Sequence, residues 1–432
     1  MTARDALLFA LVGALILATG FVQSWNTALS ILNMGLVSAI MALGVNMQWG
    51  YAGLFNVGVM GFVALGGLGT VLISAPPVAE AWAAGGGRAI AAHLLGIGVI
   101  IGAVMIWRRR LGGRRRGAVM LAWLVIGYVV FGALREPAVQ AIEAVDPAAT
   151  GFLGGLGLPV LLAWPVGGLL AAAAAWVIGK TALGLRSDYL AIATLGIAEI
   201  IIALLKNEEW LTRGVKNVIG LPRPVPYESG LQQAAAFVGR AQALGMDPVT
   251  ASSLAVKLLY GGLFLVVLLI LLWMAEAALN SPWGRMMRAI RDNETAAAAM
   301  GKDVTARHLQ VFILGSAVVG LAGAMMTTLD GQLTPTSYQP LRYTFLIWVM
   351  VILGGSGNNR GAVLGGFLVW WLWVEVEPIG LAVMGALASG LPEDSALAAR
   401  MIESAAYMRF LTMGLILLVV LRFNPRGLIP ER

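Results

Sequence analysis

Apolar residues run along this chain in long blocks, separated by short polar or glycine-rich breaks. About twelve blocks read as membrane-crossing helices, since a bilayer core takes roughly 20 apolar residues in helical form. They lie near 6–21, 30–47, a glycine-studded stretch ending at Ser74, 90–107, 118–134 and 158–178. The series continues at 189–205, 258–275, 304–328, 343–354, 362–376 and 407–421. The pattern predicts an all-α, polytopic integral membrane protein, one transmembrane domain over residues 1–432. The first block ends in Ala18-Thr19-Gly20, a poor match to a small-residue cleavage site, so it is expected to remain as a span.

The polar break from Asn280 to Val304 is unlike the others because it is amphiphilic. Ser281 followed by Pro282 reads as an N-cap and first helical position: the hydroxyl can accept from an orphan N–H, and proline has no donor to waste there. Gly301 is placed to end the helix, as it tolerates a left-handed conformation. Between them Arg285, Arg288, Asp292 and Thr295 recur at helical spacing and form one polar face. Ala289, Ala296 and Ala297 keep another part of the surface small enough for close docking. A short capped helix of this kind, held between membrane spans, is a candidate handle for another protein.

Charge supplies the sidedness. Six arginines lie within residues 108–116, and Lys180, Arg186, the 280–304 break, Arg360 and the tail Arg422, Arg426 and Arg432 fall on the same side when the spans alternate. Cytoplasmic loops collect Lys and Arg, so both termini are expected in the cytoplasm. Arg213, Lys216 and Arg223 are the exceptions. They sit in the longest polar excursion, 206–253, where alternating Pro222, Pro224 and Pro226 favour extended backbone.

Composition narrows the function classes. With 59% hydrophobic and 12% charged residues the chain is no set of soluble domains,. No cysteine and only two histidines, His93 and His308, leave no thiolate site and no histidine pair for a metal,. The +7 net charge sits beside membrane spans and is better assigned to topology than to nucleic acid,. Gly179-Lys180-Thr181 resembles the end of a phosphate loop, but Ala174 stands where that motif needs glycine. The Gly355–Gly361 stretch joins two spans and reads as a tight turn rather than a dinucleotide loop.

Two intramembrane features remain. Glu199 lies about 16 Å along a helix from Asp188. A carboxylate at that depth either lines a pathway or is a hydrogen-bonded packing residue. Asn56 between Gly53 and Gly58 suggests an interrupted helix whose freed backbone groups line a cavity; a simple interhelical polar contact is the alternative.

Several ordered motifs then give a resemblance covering most of the chain. They are G-Y-A-G-L-F-N-V-G at Gly50–Gly58, L-R-S-D-Y-L-A-I-A-T-L-G-I-A-E-I at Leu185–Ile200, and G-R-M-M-R-A-I-R-D-N-E-T-A-A-A-A-M-G at Gly284–Gly301. G-L-A-G-A at Gly320–Ala324, V-I-L-G-G-S-G at Val351–Gly357 and F-N-P-R-G-L at Phe423–Leu428 follow. Together they resemble the M-type permease subunits of branched-chain amino acid ABC importers. Two stretches depart from that pattern: Asn56-Val57-Gly58-Val59 replaces a Ser-Leu-Gly-His-like run, and Leu211–Gly220 replaces a Thr-Gly-Gly-x-x-Gly-like turn.

The resemblance implies a non-enzymatic permease without cofactors in the bacterial inner membrane. Its implied partners are a second homologous permease subunit, two cytoplasmic ABC ATPase subunits, a periplasmic substrate-binding protein, membrane lipid and an amino-acid substrate, with no nucleic acid. It implies a translocation pathway at Gly53, Asn56, Gly58, Thr194 and Glu199. ATPase coupling would use Gly284, Arg285, Arg288, Ala289, Arg291, Glu294, Ala297 and Gly301. Arg213, Lys216 and Arg223 would meet the binding protein. The alternatives are a permease for urea or short amides and an ion-coupled secondary transporter using Glu199.

Overall fold

The computed structural model describes residues 2–108, 113–391 and 395–431. Residues 109–112 of the arginine-rich turn therefore lie outside the described residues. Every expected apolar block falls on a helix. In chain order these are α1 Ala3–Val22, α2 Trp25–Ala52, α3 Val59–Ser74, α4 Gly87–Arg108 and α5 Gly113–Glu143. They continue with α6 Ala163–Ala182, α7 Ser187–Asn207, α8 Pro248–Asn280, α9 Pro282–Asp292 and α10 Glu294–Ala299. The last four are α11 Val304–Asp330, α12 Leu346–Gly354, α13 Asn359–Ala388 and α14 Met408–Phe423.

The expectation of about twelve full spans is met only in part. Among the described residues ten helical segments are long and apolar enough to cross a membrane, and two more, Val59–Ser74 and Arg342–Gly354, are shorter. Both short helices begin after a break in the α-helical backbone, at 53–58 and at 331–339, the second holding a single 3-10 turn at Pro335–Ser337. Gly53, at φ +68°, stops α2 in a left-handed turn, and Gly331, at φ +66°, does the same at the end of α11,. A two-residue antiparallel ladder, Val218–Ile219 with Gln332–Leu333, ties the long polar excursion to the second of these breaks. That excursion carries short helices at Glu228–Gln233 and Ala235–Ala243, while its Pro222–Pro226 stretch is non-helical as expected.

The core forms around α2, where 83% of the most apolar stretch is buried. Helix α11 packs on α2, α3 and α6; α13 and α8 pack on α2 from other sides. Lipid tails offer no hydrophobic contrast, so close backbone approach has to supply the packing. Small residues allow it: a Cβ on Gly66 would sit 1.9 Å from the Gly320 carbonyl oxygen, and one on Gly366 would sit 2.6 Å from Ala39 Cα. The α4–α5 hairpin is peripheral, with only 6% of the apolar stretch of its second helix buried. Arg135 at its far end pairs with Glu208 beyond α7.

The two ends of the bundle differ. Asp5, Asn280, Arg288, Arg360 and Glu431 line one small polar cavity, so both described chain ends share a face with α9. The opposite end carries the 206–247 excursion.

Gly66→Ala should lower stability by about 1–3 kcal/mol, since the new methyl must displace backbone rather than a flexible side chain. Gly13→Ala, on α1, meets no atom within 4 Å and should be neutral. Thermal unfolding of the two variants in detergent checks the contrast; equal melting temperatures would sink this account of the core.

Candidate functional site

The break after α2 is a hydrogen-bonded knot. Asn56 is only 1% exposed, and each of its polar groups is used. Its Nδ2 donates to Gln48 Oε1 at 2.8 Å, and its Oδ1 accepts from the Gly58 amide at 2.9 Å. Its carbonyl accepts from Trp348 Nε1 at 3.0 Å. Gln48 in turn donates to the Phe312 carbonyl and to Ser316 Oγ on α11, at 3.0 and 2.9 Å. Thr194 Oγ1 on α7 accepts from the Val57 amide at 3.1 Å, and Thr344 Oγ1 accepts from the Met60 amide at 3.2 Å. Side chains from α2, α7 and the 341–354 helix thus replace the ladder that the interrupted backbone lacks. Gly58 is required by contact: a Cβ there would lie 2.3 Å from the Thr194 carbonyl oxygen.

Gly53, Asn56, Gly58 and Thr194 are therefore brought together, with Asn56 facing protein and no open channel. The residues beside it are the ones that face open space. Phe55 and Val57, with Leu195, Phe345, Trp348 and Leu417, line an apolar groove of about 500 Å³. Trp49, Phe55 and Trp348 form an edge-packed aromatic cluster with centroids 4.8–5.6 Å apart. Glu199 is separate from the knot. It is exposed on α7, one helical turn beyond Leu195, on the stripe that reaches the groove,.

Helix α9 forms as its residues predict. Ser281 Oγ accepts from the Gly284 amide, and Pro282 opens the helix. The single helix expected to run to Gly301 is instead two. Asn293 leaves helical backbone and caps α10, its Oδ1 accepting from the Ala296 amide at 2.9 Å. An Asn side chain offers the backbone that alternative to a continued helix. Gly301 ends α10 in the left-handed region, at φ +75°.

The polar face expected on α9 is divided. Met287 and Ile290 are fully buried, and a Cβ on Gly284 would lie 2.2 Å from the Leu279 carbonyl oxygen. Arg291 turns inward. It donates to the Gly50 carbonyl at the end of α2 and pairs with Glu431 of the tail at 2.8 Å. Burial alone would lower its pKa, but the hydrogen bond to Glu431 and the charges of Glu431 and Asp292 hold it above the ordinary value. Arg288 is half-buried beside the polar cavity shared with Glu276, Arg360 and Glu431. Ala297 is buried and Glu294 lies 3.4 Å from His308. What remains exposed is Arg285, Ala289 and Asp292, followed by Asn293, Glu294, Thr295 and Ala296 and by 298–300. Arg288 and Arg291 are thus half-buried while Arg285 is exposed, because the inner half of a helix this short must pack.

A family model described as "Branched-chain amino acid transport system / permease component" matches residues 27–420. The chain belongs to that family. It is similar to the high-affinity branched-chain amino acid transport system permease protein LivM of Escherichia coli (strain K12), 31% identical over 276 residues. That match spans 59% of this chain and 62% of the E. coli protein, under two thirds of its length. The probable branched-chain amino acid transport permease protein LivM of Methanocaldococcus jannaschii is 23% identical over 398 residues, 91% of this chain and 90% of that one. The fructose import permease protein FrcC of Rhizobium meliloti is 30% identical over 131 residues, 29% of this chain and 34% of that one. No solved structure matches.

In the permease's 206–253 excursion the expected basic docking patch is largely spent internally. Arg213 is 7% exposed in a left-handed turn, donating to the Asn217 carbonyl at 3.1 Å and lying over the Phe152 ring. Its side chain braces the loop from within. Lys216 pairs with Glu209 at 2.6 Å and Arg223 with Glu228 at 3.1 Å, so both keep exposure but little free charge. The groove residues Phe55, Val57, Leu195 and Trp348 were missed in sequence because apolar side chains in apolar blocks carry no signal. The alternation around Asn56 was the one available hint, since neighbours on extended backbone point to opposite sides.

Replacing Asn56 with Ala should cost about 2–4 kcal/mol, because Gln48 Oε1 and the Gly58 N–H are left buried without partners. Val57→Ala removes only groove surface and should cost under about 1.5 kcal/mol. Thermal unfolding of the purified permease reads both; similar losses would argue against the knot.

Proposed function

We propose that this permease is one of two homologous membrane subunits of an ABC importer for branched-chain amino acids. Two ATPases would bind the α9–α10 face from the cytoplasm, and a periplasmic binding protein would deliver substrate at the opposite end of the bundle. The observation that carries the reading is the division of α9. Its exposed Arg285–Ala289–Asp292 stripe is small enough for a partner to approach closely, while Arg291 ties the same helix to Gly50, three residues before the break. A push on α9 from ATPase closure would reach α2 and the 53–58 segment through that contact. From there it would bias the groove between two discrete packings, as an element in contact with both states must. The apolar lining of Phe55, Val57, Leu195 and Trp348 favours an aliphatic side chain over urea or a short amide,. Basic residues at the α9 end support placing both termini in the cytoplasm of a bacterial inner membrane.

The docking face is tested by Ala289→Trp in the reconstituted complex. Insertion and thermal stability should stay near wild type, as surface changes usually lie within about 0.5 kcal/mol. Substrate-stimulated ATP hydrolysis should fall at least tenfold. Full stimulation in that variant would count against the docking assignment.

The second reading, ion-coupled transport, rests on Glu199 lying on the stripe that reaches the groove. Glu199→Gln separates the two. In the importer, uptake by the variant should follow ATP and survive collapse of the proton gradient. Uptake by this chain alone, without ATPases, driven by a pH gradient and lost in Glu199→Gln, would move the assignment to secondary transport.

A further inference from the structure

At the end of the bundle opposite α9, a second cavity of about 370 Å³ opens between α2, α8, α11, α13 and the start of the 341–354 helix. Its size suits a small molecule, since such pockets begin at about 300 Å³. Its lining is mixed in an unusual way for a membrane protein: it holds Asp330, Arg342, Lys257 and Asn33 beside Ile31, Met34, Trp370 and Val374.

No close ion pair joins the charges there. Elsewhere at this end basic groups pair closely, as Lys216 does with Glu209 and Arg223 with Glu228. Among the described residues Asp330 and Arg342 form no ion pair within 4 Å, and neither side chain makes a hydrogen bond. Arg342 lies over the rings of Tyr343 and Trp370, at 5.2 and 5.6 Å, and its Nε is buried without a partner. Asp330 ends α11 and is exposed to the cavity. Lys257 Nζ gives one proton to the Asn26 carbonyl at 3.0 Å and keeps two. Asn33 is 1% exposed; its Nδ2 donates to the Lys257 carbonyl at 2.9 Å, and its Oδ1 is buried without a partner. Charge without a close ion pair is costly in such surroundings, and a ligand carrying both signs would satisfy both groups together.

We infer that this cavity binds a zwitterionic α-amino acid. The Arg342 guanidinium, whose forked donors match a carboxylate, takes the α-carboxylate with help from Lys257. Asp330 takes the α-ammonium. The aliphatic side chain lies along Ile31, Met34 and Trp370. The site is contained within this one chain and is separate from the Phe55–Trp348 groove, so a substrate released at this end would be held before it reaches the break. The choice of an amino acid with an aliphatic side chain rests on the proposed function; the demand for both charges rests on the cavity alone.

The test uses the full chain in lipid nanodiscs and three probes: L-leucine, 3-methylbutylamine, which lacks the carboxylate, and 4-methylpentanoate, which lacks the amine. Arg342→Gln should weaken leucine at least tenfold and leave 3-methylbutylamine unchanged. Asp330→Asn should weaken leucine to a similar degree and leave 4-methylpentanoate unchanged or tighter. Leucine binding within twofold of wild type in both variants overturns the site, as does an equal loss of all three probes or no leucine binding by the wild-type chain. Leucine uptake by the reconstituted wild-type complex is measured separately. A complex that moves leucine while the chain binds none sinks the cavity alone. A complex that moves no amino acid, while the chain binds leucine through these residues, sinks the importer and leaves the cavity standing.

Discussion

A backbone that leaves its helix inside a bilayer loses partners that water cannot replace, and each lost bond costs several kcal/mol in hydrocarbon. The 53–58 break is possible only because side chains substitute for the missing ladder. Asn56 supplies groups from the break itself, Gln48 and Thr194 from α2 and α7, and Trp348 and Thr344 from the 341–354 helix. Because Gln48 also holds α11 through Phe312 and Ser316, four elements meet at one short segment. None of them can shift without the others giving up a hydrogen bond. That makes the break a natural place for two discrete arrangements and a poor place for continuous flexing.

The same segment sits between the two faces of the molecule. Towards the α9 end, Arg291 reaches Gly50, and its Cγ lies 3.5 Å from where a Cβ on Gly53 would be. Towards the membrane interior, Phe55 and Val57 project into the apolar groove. The core around α2 is packed by backbone against backbone at Gly66, Gly320 and Gly366, while the α4–α5 hairpin presents apolar side chains almost all round. The centre is thus specified by shape and the periphery by solubility in lipid, as expected where hydrophobicity alone cannot distinguish a helix from its solvent.

Charge follows an equally simple division. Arginines and lysines that brace loops are matched to a carboxylate or a carbonyl, as Arg213, Arg223 and Arg135 are. Those lining the cavity of Asp330 and Arg342 have, among the described residues, no carboxylate within ion-pair distance: Lys257 meets the Asn26 carbonyl and Arg342 two aromatic rings. Burying an unmatched charge opposes folding, so its presence points to a partner outside the chain.

Much of this was legible from residue order. Apolar blocks predicted where the membrane helices lie, because a bilayer imposes both length and composition. Ser281-Pro282 predicted where α9 begins and Gly301 where α10 ends, because capping is chemistry between near neighbours. Asn56 and its glycines marked the break for the same local reason. What periodicity could not supply was the identity of the neighbour on each face. Asn56 meets Trp348, 292 residues away, and Val57 meets Thr194, 137 away. Arg288 and Arg291 share a sequence pattern with Arg285, yet only Arg285 stays exposed, since the side of α9 that packs is chosen by α2 and the tail. No local motif marks Arg342 or Asp330. Only the tertiary fold, by turning five elements towards one space, decided that they face each other across a cavity without touching.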